Sequence, residues 1–178
     1  MINTGHGITL APILEKQIGQ MLVWRNDRRV WKWCRQSSVI SEAQHTAWFR
    51  SLPERQDVKM FSVIDDHGDF VGVAGLTSLD YINRRAEVSL YIAPAKMRSG
   101  LGFRAAKTLI DHAFDDLNLN LVWGEGFSGS PANGLFEKCG FNLDGIRLGF
   151  YYREGQYVDA FLYSLTRGGL QWNGQHLS

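Results

Sequence analysis

Residues Tyr91 to Phe114 have the sequence YIAPAKMRSGLGFRAAKTLIDHAF, which reads as a strand end, a short loop with two glycines, and a helix. Apolar residues recur along the helix at a spacing that gives it one apolar face: Phe103, Ala106, Leu109, Ile110, Ala113 and Phe114. The first N–H groups of a helix have no intrahelical partner, and the helix dipole adds positive potential there. Because Gly100 and Gly102 lack a Cβ, an anion can approach these amides closely. The stretch therefore predicts a phosphate-binding junction between a strand and a helix.

The glycine spacing narrows the type of phosphate loop. Gly100-Leu101-Gly102 lacks the third glycine of a dinucleotide fingerprint, and no Gly-Lys-Ser/Thr follows that would indicate a P-loop. The hexapeptide Met97–Gly102 instead resembles the pyrophosphate loop of the GNAT (Gcn5-related N-acetyltransferase) superfamily, Gln/Arg-x-x-Gly-x-Gly/Ala. Met97 departs from this pattern at the first position, and Arg98 lies one residue later. For the hexapeptide by itself, an ordinary glycine-containing connection is the alternative.

The composition is that of an ordinary globular protein, with 178 residues, 44% of them hydrophobic and 21% charged. This length predicts a single domain over residues 1–178, with a folded core at about residues 8–166 and a polar tail at residues 167–178. The formal net charge of +1 argues against bulk electrostatic binding to nucleic acid or to a membrane.

The cysteines and the N-terminus indicate a cytoplasmic protein. Cys34 and Cys139 are far apart and have no metal-ligand spacing, so we expect reduced thiols and no metal site. The first residues show no signal-peptide pattern, and no apolar run approaches the length of a membrane span. We therefore expect no membrane partner.

The segment from Trp24 to Arg35, WRNDRRVWKWCR, combines three tryptophans with five basic residues. Aromatic side chains among arginines can stack on bases and bind phosphates. The alternative is a helix whose tryptophans and Val30 pack inward while the basic stems lie along the surface. We favour the helix because no wider basic field accompanies the segment. A local site for an acidic substrate or for adenosine phosphates stays open.

The rest of the chain alternates between strand and helix patterns. Ser41 and Gln44 form a capping box that opens a helix ending at Pro53. Gly72 and Gly75, inside a strand pattern, predict a bulge or a close backbone approach. Strands are predicted at residues 8–10, 59–64, 70–79, 86–92 and 119–127 and in a closing hairpin at 143–166, and further helices at 14–26 and 131–139.

This order of elements resembles the GNAT fold from about Ile8 to Thr166. The resemblance implies an α/β fold with a mixed, mostly antiparallel central sheet, a splayed strand pair and flanking helices. The segment at residues 131–141, PANGLFEKCGF, is similar to a family segment that ends in Glu-Lys-Leu-Gly-Phe. The opening WRND at residues 24–27, the Ser41–Phe49 helix, and the residues Gly145, Arg147, Gly155, Tyr157 and Asp159 are similar to the RimJ/RimL-like branch, which includes amino-sugar acetyltransferases.

The chain departs from the family pattern at two positions. Gly129, or Ser130 if the helix is one residue shorter, stands where the family usually has an asparagine. Phe136 stands where the family often has a tyrosine whose hydroxyl reaches the cofactor sulfur, and a phenyl ring has no proton to donate. We therefore expect a reaction without an obligatory general acid.

The resemblance implies acetyl transfer from acetyl-CoA to a primary amine, either of a small molecule such as an amino sugar or of a protein N-terminus. The residues expected to bind the cofactor are Leu90, Tyr91, Ile92, Arg98, Ser99, Gly100, Leu101, Gly102, Phe103, Arg104, Asn133 and Phe136. The residues expected to line the acceptor site are Trp24, Arg25, His45, Trp48 and Tyr152.

An alkyl ammonium, with a pKa near ~10.4, must lose a proton before it can attack a thioester. Glu87 resembles the base position of some family members, and Glu125 is the second candidate because it shares a strand face with apolar residues. The structural alternative for Glu87 is an exposed carboxylate beside Arg84 or Arg85.

Two other functions are compatible with the sequence. Phe136 and Gly129 leave room for a non-catalytic acyl-CoA-binding module that acts through a partner protein. The tryptophan- and arginine-rich segment leaves room for an RNA-directed acetyltransferase, although no broad basic surface supports it. A homodimer is a further expectation.

Overall fold

The computed structural model describes residues 1–36 and 38–169. Its strands and helices occur in this order: β1 (Ile8–Pro12), α1 (Ile18–Asn26), α2 (Arg28–Trp31), α3 (Glu42–Ser51), β2 (Lys59–Asp65), β3 (Phe70–Asp80), β4 (Arg85–Ile92), α4 (Leu101–Asp111), β5 (Leu121–Phe127), α5 (Pro131–Cys139), β6 (Asn142–Arg153) and β7 (Gln156–Thr166). The predicted tail lies outside the described residues from residue 170 onward. Across the described ranges, none of the helices has the length and apolarity that a bilayer crossing requires.

The strands form one sheet in the order β1-β2-β3-β4-β5-β7-β6. Every neighbouring pair is antiparallel except β4 and β5, which run parallel. A parallel pair needs a crossover connection, and α4 supplies it. Helices flank the sheet, so the predicted α/β fold with a mixed, mostly antiparallel sheet is confirmed.

Helix α4 packs its apolar face on the sheet, in contact with β1, β3 and β4. Its buried residues recur three and four positions apart, and they share one core cluster with Val88 and Ile92 of β4. Phe103 is 39% exposed, so its predicted place on the buried face is wrong. Leu101 and Ala105 occupy that face instead, because Leu101, Ala105 and Leu109 follow one another about one helical turn apart.

The first third of the chain is less regular than predicted. A 3₁₀ turn at Glu15–Gln17 precedes α1, which begins at Ile18. Asp27 then ends the helix, because its backbone is extended and its carboxylate accepts the N–H of Arg29 as the N-cap of α2. The second helix, α2, spans four residues, so the single helix favoured for the tryptophan-rich segment is wrong, although Val30 is buried as that interpretation expected.

The close backbone approach predicted at two glycines of β3 is confirmed. A Cβ on Gly72 would lie 2.5 Å from the carbonyl oxygen of Tyr91, and one on Gly75 would lie 2.3 Å from that of Lys59. The register between β2 and β3 also shifts between Val63 and Ile64, which is a local bulge. These glycines let β3 lie tightly between β2 and β4.

Candidate active site

The central feature of the site is a gap between β4 and β5. The two strands pair at Arg85–Leu121, Ala86–Val122 and Glu87–Trp123, and this parallel register extends no further. The backbone of residues 88–92 therefore has its sheet partner β3 on one side only, and residues 124–127 have β7 on one side only. Such a gap can accept an extended, amide-bearing ligand as an added strand.

The glycine loop lies at the carboxyl end of β4 and leads into α4. Arg98 and Gly100 both have left-handed backbone conformations, with φ of 63° and 84°. A Cβ on Gly100 would meet no atom within 4 Å, so the space before the helix is open. The first-turn amides of Leu101 and Gly102 have no carbonyl one turn earlier in the helix, which makes this end a site for an anion.

Arg104, one turn into α4, has hydrogen-bond partners within the protein. Its backbone N–H donates to the carbonyl of Gly100 at 3.1 Å. Its guanidinium donates to the carbonyl oxygens of His6, at 2.7 Å, and Gly7, and to Asp66 at 3.0 Å. The guanidinium thus ties α4 to the N-terminal segment and to Asp66, and the role of Arg104 toward the cofactor stays a prediction.

The α5 side of the gap contains a buried acceptor without a partner. The side-chain amide of Asn133 donates to the carbonyl of Phe127 at 3.0 Å, while its Oδ1 is buried and accepts no hydrogen bond from the described residues. A Cβ on Gly126 would lie 1.9 Å from this Oδ1. A ligand amide lying along β5 could supply the missing donor, so the residues present fit a pantetheine chain.

Phe136 is part of the core, one turn further along α5. Its ring packs against Phe141 and Tyr163, with centroids 5.0 and 5.2 Å away. A Cβ on Gly124 would lie 2.2 Å from its Cζ, so the ring covers this stretch of β5. The position thus holds an apolar ring against the strand beside the gap.

Two carboxylates lie where the gap begins: Glu87 is in the last β4–β5 pair, with Trp123, and Glu125 comes two residues after Trp123 on β5. The side chains of Glu87 and Glu125 are 7% and 6% exposed. The guanidinium of Arg35 contacts both: it forms an ion pair with Glu87, and its Nε lies 3.6 Å from Glu125 Oε1. The exposed-carboxylate alternative for Glu87 is therefore wrong, and neither Arg84 nor Arg85 is its partner.

Each carboxylate has further polar contacts. The hydroxyl of Thr77, on β3, donates to Glu87 Oε2 at 3.2 Å. The hydroxyl of Tyr151 donates to Glu125 Oε1 at 2.7 Å, and Nη1 of Arg147 lies 3.5 Å from Glu125 Oε2. Burial and the Glu125 carboxylate raise the pKa of Tyr151, so this phenol keeps its proton and remains a donor.

The hairpin between β6 and β7 holds the segment that carries Arg35. The guanidinium of Arg153 donates to the backbone carbonyls of Cys34 at 3.2 Å and of Arg35 at 2.6 Å. Glu154, at the hairpin tip, forms an ion pair with Arg28 of α2. A cavity of about 270 Å³ lies between the two elements and is lined in part by Trp31 and Trp33.

The residues predicted for the acceptor site lie in different surroundings. Trp24 packs on Phe70 at the start of β3, with centroids 4.7 Å apart. His45 is buried beside Trp48, and burial, together with Arg25, lowers its pKa, so the ring is neutral near pH 7. Arg25 also faces Tyr91, whose pKa burial raises.

Tyr152 is not brought to the carboxylates. Its side chain is 60% exposed and stacks on Tyr157, with centroids 5.2 Å apart. Neighbouring residues of a strand face opposite sides, so Tyr151 reaches Glu125 instead. Sequence reasoning missed Tyr151 and Arg35. The alternation along β6 could have separated the two tyrosines, but nothing in the sequence pairs Arg35 with residues 87 and 125.

A parted strand pair, a glycine loop at a helix N-terminus and a buried carboxylate pair are the arrangement expected of an acyl-CoA-dependent amine acyltransferase. Residues 8–142 match the family model described as an acetyltransferase (GNAT) domain. The chain therefore belongs to the GNAT acetyltransferases and is an acetyl-CoA-dependent N-acetyltransferase. Its membership of the RimJ/RimL-like branch stays a prediction.

Named relatives agree with this family. The chain is 24% identical over 158 residues to the spermidine N(1)-acetyltransferase of Escherichia coli K12, covering 88% of this chain and 84% of that protein. It is 27% identical over 173 residues to the putative ribosomal N-acetyltransferase YdaF of Bacillus subtilis, covering 93% and 92%.

Solved structures show the same fold. The crystal structure of spermidine N-acetyltransferase from Vibrio cholerae in complex with CoA and spermine superimposes with a TM-score of 0.86 at 21% identity, covering 92% of this chain and 97% of that one. A dodecameric structure of that enzyme in an intermediate state superimposes with a TM-score of 0.77 at 22% identity, covering 90% and 94%.

Proposed function

We propose that this enzyme acetylates a primary amine of an aliphatic polyamine of the spermidine type. The observation that carries the proposal is the pair of buried carboxylates, Glu87 and Glu125, in the gap between β4 and β5. Buried carboxylates need cationic partners, and a chain with several ammonium groups can serve both at once. An amino sugar or a peptide N-terminus brings one ammonium group to the same place. The spermidine acetyltransferases among the relatives support this choice.

The cofactor is proposed to lie along β4 with its pyrophosphate at the glycine loop. Residues 90–92 offer backbone groups to the pantetheine, Asn133 offers its unpartnered Oδ1, and the amides from Arg98 to Phe103 face the pyrophosphate. Acetyl-CoA supplies an acetyl group activated as a thioester.

Two glycine substitutions test this location. Acetyl-CoA should raise the melting temperature of the unsubstituted protein. The double substitution Gly100→Val and Gly102→Val should abolish this rise. Gly68→Val is the matched control for strain, because Gly68 has a φ of 83° against 84° for Gly100 and also meets no atom within 4 Å. A double variant that acetyl-CoA stabilises as much as the parent would place the cofactor elsewhere.

The chain's own groups then account for the proton movements. Glu87 accepts a proton from the acceptor ammonium, directly or through water, and Glu125 binds the cation. The amine nitrogen bonds to the acetyl carbon as the carbon–sulfur bond breaks, and CoA leaves as a thiolate with a pKa near ~8.5. Phe136 donates no proton, which this leaving group tolerates at neutral pH.

An acceptor screen tests the proposal. Spermidine, spermine and putrescine should release CoA thiol with kcat/KM at least about tenfold above amino sugars and peptide N-termini that carry one ammonium group, since each further ammonium group gains charge-assisted contacts worth ~1.4 kcal/mol or more. A preference for peptide N-termini would favour the second candidate, a protein N-terminal acetyltransferase. That candidate rests on the ribosomal relative, which matches over 93% of this chain.

Self-association is proposed through the edge strand β6. This strand ends the sheet and carries exposed apolar side chains, among them Leu148 at 81% and Phe150 at 51%. An exposed edge strand of this kind can pair with the edge strand of a second copy of the protein. The dodecameric relative supports an oligomer, and the homodimer expected from the sequence stays a prediction. The cytoplasmic location stays a prediction.

A further inference from the structure

The buried carboxylates Glu87 and Glu125 already pair with cationic side chains of the protein itself. Arg35 and Arg147 set two positive charges against the two negative charges of Glu87 and Glu125. An incoming ammonium therefore meets a neutralised site. It can contact both carboxylates at full strength only if one guanidinium leaves.

Arg35 is the cation that can leave. Its side chain is 50% exposed and comes from the irregular segment between α2 and α3. The guanidinium can therefore turn into solvent, where water replaces the carboxylates as its partner. Its backbone carbonyl stays bound to Arg153, so the side chain can swing without moving the segment. Arg147 is equally exposed, at 50%, but it extends from the paired strand β6, and its guanidinium lies over the ring of Phe150 with its Cζ 4.9 Å from the ring centroid.

We infer that Arg35 is an internal competitor for the acceptor, occupying the ammonium site between Glu87 and Glu125 until a more highly charged amine displaces it. The inference rests on the proposed function, because it takes the carboxylate pair as the acceptor site. A monoamine exchanges one positive charge for one and gains nothing over Arg35 in Coulombic terms. A polyamine can place one ammonium at Glu87 and a second at Glu125 Oε1, the two contacts that Arg35 gives up, while Arg147 stays at Glu125 Oε2. Competition with Arg35 therefore lowers the affinity for monoamines more than the affinity for polyamines.

Removing the competitor should tighten amine binding, whereas removing a binding or structural residue should weaken it. We expect Arg35→Gln to bind propylamine about fivefold more tightly than the parent, the change expected when a partly exposed ion pair no longer competes. For putrescine the gain should be smaller, because the diamine already displaces Arg35 well. The ratio of diamine to monoamine affinity should therefore fall.

The test is calorimetric titration of the CoA-bound protein with propylamine and with putrescine at about pH 8, well above the usual pKa of glutamate. Arg28→Gln is the matched control: it removes one positive charge from the same part of the chain, where Arg28 pairs with Glu154 and not with the buried carboxylates. Arg35→Lys is a second variant for the case that Arg35→Gln does not fold. One ammonium cannot bridge two carboxylates as a guanidinium does, so it should tighten propylamine binding about twofold.

Each result decides the inference. Unchanged or weaker propylamine binding in the folded Arg35 variants overturns it. An equal gain in Arg28→Gln, or no amine binding by any form, overturns it as well. The proposed function fails separately, if the parent acetylates no polyamine in the acceptor screen. A tightened Arg35→Gln variant would then still place an internal competitor at the acceptor site of some other amine.

Discussion

Replacing Glu87 with glutamine separates the proton-accepting role from the binding of charge. Glutamine has the same shape and can still accept the Thr77 hydroxyl, which lies 3.2 Å from Glu87 Oε2. The substitution removes the negative charge that Arg35 now pairs with. Because Arg35 is half exposed, its freed guanidinium can reach water, and the melting temperature should change little.

The expected effect on rate follows from the proton-accepting role. General-base catalysis typically contributes about 10²–10⁴-fold, so kcat for the best amine should fall by about a hundredfold or more. Cofactor affinity should be nearly unchanged. Glu87 lies five residues before Ile92 in β4, about 16 Å along the strand from it, and the glycine loop follows only after Ile92.

The measurement is CoA thiol release as a function of pH, with acetyl-CoA affinity determined in parallel. The low-pH limb of the parent's rate profile should flatten in Glu87→Gln. Glu125→Gln is the companion variant, because Glu125 is proposed to bind the cation: its acceptor KM should rise while kcat changes less. A Glu87→Gln enzyme with kcat within about threefold of the parent would refute the role of Glu87 as base.

Three further substitutions give distinct outcomes. Asn133→Ala should weaken CoA binding about tenfold by removing the unpartnered acceptor. Its control Ser130→Ala removes the N-cap of α5 and should lower only the melting temperature. Equal CoA affinities of the two variants would contradict the role of Asn133. Phe136→Tyr should change kcat by less than about threefold, and a gain of about a hundredfold would show that protonation of the sulfur is limiting. His45 has a lowered pKa, so the unfolded chain binds more protons and the free energy of unfolding should fall as the pH drops below about 6.5. His45→Gln should flatten that dependence in thermal melts between about pH 5 and about pH 7.5, and an unchanged slope would assign the titration to another group.

Local rules predicted the parts of the fold that a few neighbouring residues determine. The start of α4 after the loop glycine Gly100, the capping box of Ser41 and Gln44, and the close approach at Gly72 each follow from the conformational freedom or side-chain chemistry of the residue itself. The same rules failed at Asp27, where an N-cap interrupted a helical pattern that extended across it.

The carboxylate pair was predicted only as two separate candidates. Glu87 and Glu125 were identified from their strand faces, but their burial and their shared partner depend on Arg35, which is distant in sequence and lies in an irregular segment. No periodicity specifies where such a side chain points. Arg104 shows the reverse case, since its position beside the glycines suggested a phosphate ligand while its guanidinium binds the N-terminal segment.

The short pairing of β4 with β5 makes the sheet two panels joined along a three-residue seam. The first panel contains β1 to β4 and the second contains β5, β7 and β6, and each is sealed internally by longer ladders. A cofactor that lies in the gap beside this seam, as an extra strand, contacts both panels. Its binding free energy therefore also stabilises one arrangement of the two panels relative to each other. Loss of the cofactor after turnover would remove these contacts and let the two panels move relative to each other near the carboxylates. Release of the product and movement of the panels would then be coupled.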